Sequence, residues 1–439
     1  MNVRQGLMAV LILASVTATN AVGCYGDGIF KTMKSEELAS ELLNYARRTT
    51  LAEEEKRYPT GIIKELRSRG RTGLDAMLAE RAKITQSRPS KASVGSKIDI
   101  NAVTARFDAY CDRVAGQRFA TYSKLFWHTS LEDAKKEAAT QGLPILSLRM
   151  LGRLDEEMSC ANSRFFRTVL YPDPQIANVL RKQYVLHWQT VVDVPKVTID
   201  FGNGRKLERP LTGNSMHMVL NSEGTPLDAM PGLVTPAVFA TWLGEVDQLH
   251  RDLASMPKSK RREAIVAFHR EREPQRYQSR HELDMEKVAR LSPLDSKWQE
   301  IAAQYHPSRS RKGQRLAVLS KSTRKLVARQ VPAEVAMPIA MSKRIIETPV
   351  LRMVRKLEDS LFRDTAYNVL ALQPKIDKLF TGDVALNEQQ LTSLVYNQVF
   401  LMPLNDPWLG LSPGDEFVAI DEAGRTSPEG SKWAAFRSR

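Results

Sequence analysis

Ile145-Leu146-Ser147-Leu148, followed after a loop by Cys160-Ala161-Asn162-Ser163 and Arg164-Phe165-Phe166-Arg167-Thr168-Val169-Leu170, is the stretch that decides the fold. The first four residues form a short apolar run, the pattern of a buried strand. Residues 163–170 alternate apolar and polar side chains at helical spacing. A lone thiol therefore stands where a strand gives way to a helix. The partial positive charge at a helix N-terminus favours thiolate there.

Working outward, residues 131–140 predict a short helix that Gly142 ends. Residues 174–181 predict another helix and 184–188 a second strand. Segments 197–201 and 205–209 flank Gly202-Asn203-Gly204, a strong hairpin signal. Residues 216–220 read as a further strand. A Ser222-Glu223-Gly224 turn leads to residues 226–230, and 237–249 read as a helix. Strand and helix alternate up to Cys160 and its helix, and hairpin strands follow, which predicts a small three-layer α/β domain.

Residues 125–245 resemble the thioredoxin-like superfamily. More narrowly they are similar to exported bacterial proteins that carry a tryptophan, a helix rich in Glu and Lys, a strand, a cysteine motif and then Asp-Pro with a helix. The matching residues are Trp127, Leu131-Glu132-Asp133-Ala134-Lys135, Leu143-Pro144-Ile145-Leu146, Cys160 to Ser163, Asp173-Pro174 and Tyr184-Val185-Leu186. The resemblance implies an α/β, thioredoxin-like three-layer domain over residues 121–250. N- and C-terminal helical regions would flank it, at 24–120 and 251–439. The chain departs from that family in three ways. Ser163 replaces the second cysteine. Residues 151–159 lengthen the loop before Cys160. The proline that positions a substrate backbone beside the sulfur is absent, its place falling at Ser215 or Met216.

At 439 residues the chain can hold two or three domains, and its 42% apolar content suffices for their cores. The net charge of +14 favours acidic partners. Near the N-terminus, Arg4 and the apolar segment 7–16 read as an export signal, with residues 1–23 as its extent. Ala21-Val22-Gly23-Cys24 fits cleavage before Cys24, and also resembles a lipobox that would make Cys24 a lipid anchor. Either reading places the protein outside the cytoplasm, in the periplasm or cell envelope. Three cysteines are too few for a disulfide-rich scaffold. A bridge between Cys111 and Cys160 stays open.

Before the α/β region, residues 35–87 read as helices, with Leu38, Leu42, Leu43 and Ala46 forming one stripe. Residues 86–97 read as a linker, and 100–119 as a helix that carries Cys111. Beyond residue 256 the chain turns helical and basic. Segment 308–329 holds Arg309, Arg311, Lys312, Arg315, Lys321, Arg324, Lys325 and Arg329, interleaved with apolar residues. In an exported chain that charge fits anionic lipid or a wall polymer, rather than nucleic acid, as readily as a solvated helical face. The tail segment Asp406-Pro407-Trp408-Leu409-Gly410-Leu411 reads as a docked C-terminal lid.

Two functions from different classes follow. In one, Cys160 is a small buried hydrophobe, and the domain is an interaction or scaffold module without dithiol redox activity. In the other, Cys160 attacks a disulfide as a monothiol oxidoreductase or redox sensor, with Ser163 hydrogen-bonding the thiolate. Arg164 and Arg167 would favour that thiolate, and Asp155, Glu156 and Glu157 oppose it. A thiol-bearing substrate would be the partner in the second case, and a protein in the first. The seven histidines show no ligand spacing, and no phosphate loop or dinucleotide fingerprint occurs. Neither a cofactor nor a metal is expected. His187 and His217 fall within strands and could approach Cys160.

Overall fold

The computed structural model describes residues 28–48, 59–86, 99–282, 361, 364–407 and 409–410. The chain divides into two compact units. One spans residues 1–127 with 154–157, and the other 128–153 with 158–439.

The first unit is helical where described. Its elements are α1 (Gly28–Thr32), α2 (Ser35–Arg48), α3 (Thr60–Ser68), α4 (Arg71–Gln86), α5 (Ile100–Ala115) and α6 (Ala120–Ser123). Leu38, Leu42 and Leu43 of α2 meet Leu66, Met77, Phe107 and Tyr110 in one core. Apolar residues three and four apart put each helix's stripe on that core. Asp99 caps α5 by accepting from the Asn101 N–H, and left-handed Gly116 ends it. Arg67 donates to the carbonyls of Val114 and Trp127 at 2.9 and 3.0 Å, tying α3 to the end of α5 and to the chain beyond it.

The second unit is mixed α/β. It opens with α7 (Leu131–Gln141), capped by Ser130 and ended by left-handed Gly142. Then come β1 (Ile145–Leu151), α8 (Ala161–Phe165) running into a π-helical turn at 166–170, and α9 (Pro174–Gln183). Asp173 caps α9 through the N–H groups of Gln175 and Ile176, with Pro174 in the first turn, where its missing N–H costs nothing. β2 (Val185–Val192), β3 (Lys196–Asp200), β4 (Lys206–Pro210), β5 (Ser215–Leu220) and β6 (Pro226–Pro231) follow. After them run α10 (Pro236–Ala254) and α11 (Lys258–Glu282). Later come a π-helical turn at 368–372, α12 (Gln373–Phe380), α13 (Glu388–Leu394) and a second π-helical turn at 395–399.

Four strands form one sheet in the order β2-β1-β5-β6. β1 and β2 are parallel, while β5 is antiparallel to both of its neighbours, β1 and β6. β3 and β4 form a separate two-stranded hairpin between β2 and β5 in sequence. Strand periodicity sends alternate residues to opposite faces. On one face Ile145, Val185, Met216, Met218 and Ala229 pack against Ala134 and Ala138 of α7 and against Leu372, Ile376, Leu391 and Val395. On the other, His217 packs edge-on to Phe166 and to Phe239 of α10, at ring separations of 4.5 and 4.8 Å. The fold is thus a mixed sheet with helices on both sides, and the described C-terminal helices belong to the sheet's own core.

The predicted elements at 131–140, 145–148, 184–188, 216–220 and 237–249 appear as α7, β1, β2, β5 and α10, most of them longer than read. β1 runs three residues further, through Arg149, and every residue in it is buried. The export and lipidation segment with Cys24, most of the 86–97 linker, the basic segment 308–329 and Trp408 lie outside the described residues. No helix among the described residues is long and apolar enough to cross a membrane.

Candidate functional site

Cys160 is the N-cap of α8. Its sulfur accepts from the Ser163 N–H at 3.4 Å, the capping bond usually made by an oxygen. Its own N–H reaches the Leu151 carbonyl at the end of β1, at 3.5 Å. The strand-to-helix placement read from the sequence is what the structure holds.

The sulfur's environment differs from that of an activated thiol. Cys160 is 0% exposed. Burial pushes its pKa up, and hydrogen bonds from Ser163 pull only part of the way back. The expected depression by the helix end and by Arg164 and Arg167 therefore does not prevail, because desolvation of the thiolate outweighs it. Arg164 points to solvent, whereas Arg167 is buried. The Ser163 hydroxyl donates to the Cys160 carbonyl at 3.0 Å and lies 2.6 Å from the Ser159 hydroxyl. It stitches the loop to the helix end.

Backbone and aromatic groups complete the enclosure. Gly213, just before β5, lies against the cysteine. A Cβ at this position would overlap Cys160 Cβ and stand 3.4 Å from its sulfur. Asn162 Nδ2 donates to Ser215 Oγ at 3.1 Å, fastening α8 to β5. Tyr396 donates to the Asn214 carbonyl at 3.0 Å, and Asn214 Nδ2 meets Met402 Sδ at 3.2 Å. The C-terminal segment is thus fastened to the loop that covers Cys160. Tyr171 and Tyr396 are buried and close enough to the sulfur that thiolate charge would push their hydroxyls further up, beyond the larger effect of burial.

Both strand histidines are core residues. His187 bonds Ser147 Oγ at 2.8 Å, and His217 bonds the Tyr171 hydroxyl at 2.8 Å. Burial lowers each to about 3, so both rings are neutral at physiological pH. Cys111 and Cys160 are both free and buried, so the bridge left open by the sequence is not formed. Burial, then Asp108 and Asp112, push the Cys111 thiol well up.

Sequence reasoning missed a second polar cluster. Asp228, His269 and Asp377 bring three ligand atoms within 4.8 Å of one another, all buried. Those atoms are already engaged. Asp228 accepts from Trp242 Nε1 at 2.9 Å and from Arg272 at 2.7 Å. His269 lies between Asp377 Oδ1 at 2.8 Å and the Leu227 carbonyl at 3.0 Å. Its ring stacks on Phe380, with centroids 4.1 Å apart. The Arg272 guanidinium supplies the positive charge a cation would otherwise bring. This cluster fastens α11 and α12 to β6. No family model, no curated protein and no solved structure matches the chain.

Proposed function

We propose that this chain is an exported protein with a thioredoxin-like domain that serves as an interaction or scaffold module, without thiol redox turnover. Support for the thioredoxin-like reading is topological. The cysteine begins the helix after the first strand, the order is β2-β1-β5-β6, and β5 runs against the rest. Support for the scaffold reading is the full burial of Cys160, and this observation carries it. Reactive cysteines sit in electropositive, partly exposed surroundings, whereas buried structural ones are inert. Ser163 offers no second thiol to resolve a mixed disulfide. On the β3–β4 hairpin, Val197 and Ile199 alternate along β3 and Phe201 follows its end; they are 38%, 45% and 56% exposed, which fits a surface for protein contacts.

The export reading rests on the sequence of residues 4–24. Anionic lipid or a wall polymer as a further partner rests on the charges of residues 308–329. Both segments lie outside the described residues.

Alkylation tests the central claim. The folded full-length chain is exposed to iodoacetamide across pH 5–9, the adducts are mapped, and Cys160→Ser serves as the control. The scaffold reading expects labelling of Cys160 only under unfolding conditions. Fast labelling of folded protein that persists into mildly acidic pH would replace it with the monothiol enzyme.

A further inference from the structure

A cavity of about 410 Å3 opens beside α11, within the range of roughly 300–1,000 Å3 typical of small-molecule sites. Its wall from α11 is one helical face. Lys258, Arg261, Arg262, Ile265 and Val266 follow the i, i+3, i+4, i+7, i+8 spacing that aligns side chains along a stripe. Cations occupy the start of that stripe and apolar groups its continuation. Opposite, Leu253 of α10 and Leu379, Phe380 and Leu386 around the end of α12 supply more apolar surface.

The charges at the mouth are poorly balanced. The first turn of α11 holds no acidic residue, and its cations sit at the positive end of a long helix. Glu223, the carboxylate in the lining, pairs with Lys258 at 2.6 Å and also interacts with the charge of Arg261, so one carboxylate faces three cations. Arg262 donates to the carbonyls of Gly382 and Asp383 at 2.9 and 2.6 Å, which holds the loop at the rim. Arg261 donates through Nε to the Met256 carbonyl at 3.2 Å. His250, also in the lining, is pushed down by burial and by Arg251 and Arg261 against the opposing pull of Asp247, so its ring brings no further positive charge.

We propose that this cavity binds a single-chain aliphatic carboxylate, its head at Lys258 and Arg261 and its chain over Leu253, Ile265, Leu379 and Phe380. Apolar walls with cations gathered at one end match a ligand that is anionic at one end only. The site is separate from Cys160 and does not depend on the scaffold reading.

Equilibrium dialysis of the full-length chain against radiolabelled decanoate, below its micellar concentration, tests this. One saturable site is expected. Octanoate should bind more weakly by about fourfold per methylene removed, and decanol at least tenfold more weakly than decanoate. Arg261→Gln should weaken decanoate at least fivefold. Ala385→Trp, an exposed rim position, should fill the mouth and abolish binding. Both variants should melt as wild type does, because neither residue is buried. Absence of saturable binding, equal affinity for decanol, or unchanged binding by both variants would overturn the proposal. Displacement of decanoate by equimolar inorganic phosphate would also overturn it, by showing a site for the head alone.

Discussion

The backbone of Gly213 is seated on Cys160. Any Cβ added there would lie 3.2 Å from the cysteine Cα and overlap its Cβ. The loop before β5 and the start of α8 are therefore packed to contact, and only a glycine allows it. Gly213→Ala must push one of them aside. Overpacking of this kind costs about 1–3 kcal/mol, readable in urea unfolding followed by tryptophan fluorescence. The same shift should open the sulfur, so that iodoacetamide labels Cys160 in the folded variant faster than in wild type. Wild-type stability together with unchanged labelling would show that the loop is not held against the thiol.

Arg149 and Glu388 meet at 2.6 Å, joining the middle of β1 to the first turn of α13. The Arg149 side chain is 2% exposed and that of Glu388 15%. Arg149 also reaches Gln189. Burial lowers the Arg149 pKa, and Glu388 opposes that shift. Removing one partner leaves a buried charge alone. Glu388→Ala should therefore cost about 3 kcal/mol, and Glu388→Ala with Arg149→Met clearly less. A double-mutant cycle on urea midpoints checks it. Additive losses would mean the pair is not coupled.

Elements whose pattern is local were legible in the sequence. Gly202-Asn203-Gly204 marked the hairpin because a tight turn needs left-handed backbone, and Gly202 and Gly204 have φ of 73° and 82°. Gly142 marked a helix end for an equally local reason. Partnerships across the chain were not legible. Arg149 ends an apolar run by composition, yet lies inside β1 because its charge is met by a residue from the far C-terminal part of the chain. Asp228 sits between apolar residues of β6 for the same reason, with Arg272 and Trp242 as partners. Gly213 resembles an ordinary turn glycine until the tertiary fold brings Cys160 beneath it. The thiol's character stayed open between a buried hydrophobe and a nucleophile for the same reason. A helix N-terminus is readable from sequence, whereas the burial that overrides it is a property of the packed domain.

The Asp228–His269–Asp377 cluster has the residue types of a metal centre but should not act as one. Arg272 occupies Asp228, and both nitrogens of His269 are engaged. Adding zinc or manganese at ten times the protein concentration should leave the melting temperature unchanged within about 1 °C. By linkage, even a metal at 100 times its Kd would stabilise by about 2.7 kcal/mol, a shift easily seen. Asp228→Asn weakens the tie to Arg272 and should lower stability by about 2 kcal/mol, with or without metal. A rise of several degrees with zinc, lost in His269→Gln, would establish a metal site.

The two units should respond to acid in opposite senses. In the sheet unit, His187 and His217 are depressed to about 3 from an ordinary 6.5. The unfolded chain therefore binds more protons between those values. The stability they contribute is complete above pH 6.5 and falls as pH drops through the window. With both groups titrating, the slope reaches about 2.7 kcal/mol per pH unit. In the helical unit, Asp112 is raised to about 7 from 3.8, mainly by burial, although the Ala120 N–H donates to it at 2.9 Å. Its sign is reversed. The folded state binds the extra proton, so stability is complete below pH 3.8 and declines as pH rises towards 7, at up to about 1.4 kcal/mol per unit. Hydrogen exchange by mass spectrometry at pH 5 and pH 7, corrected for intrinsic rates, separates the two. Peptides from β1 and β5 should lose protection at pH 5 while those from α5 gain it. His217→Phe should flatten the response of β5, and Asp112→Asn that of α5. A uniform change across both units would contradict the assignment of these three groups.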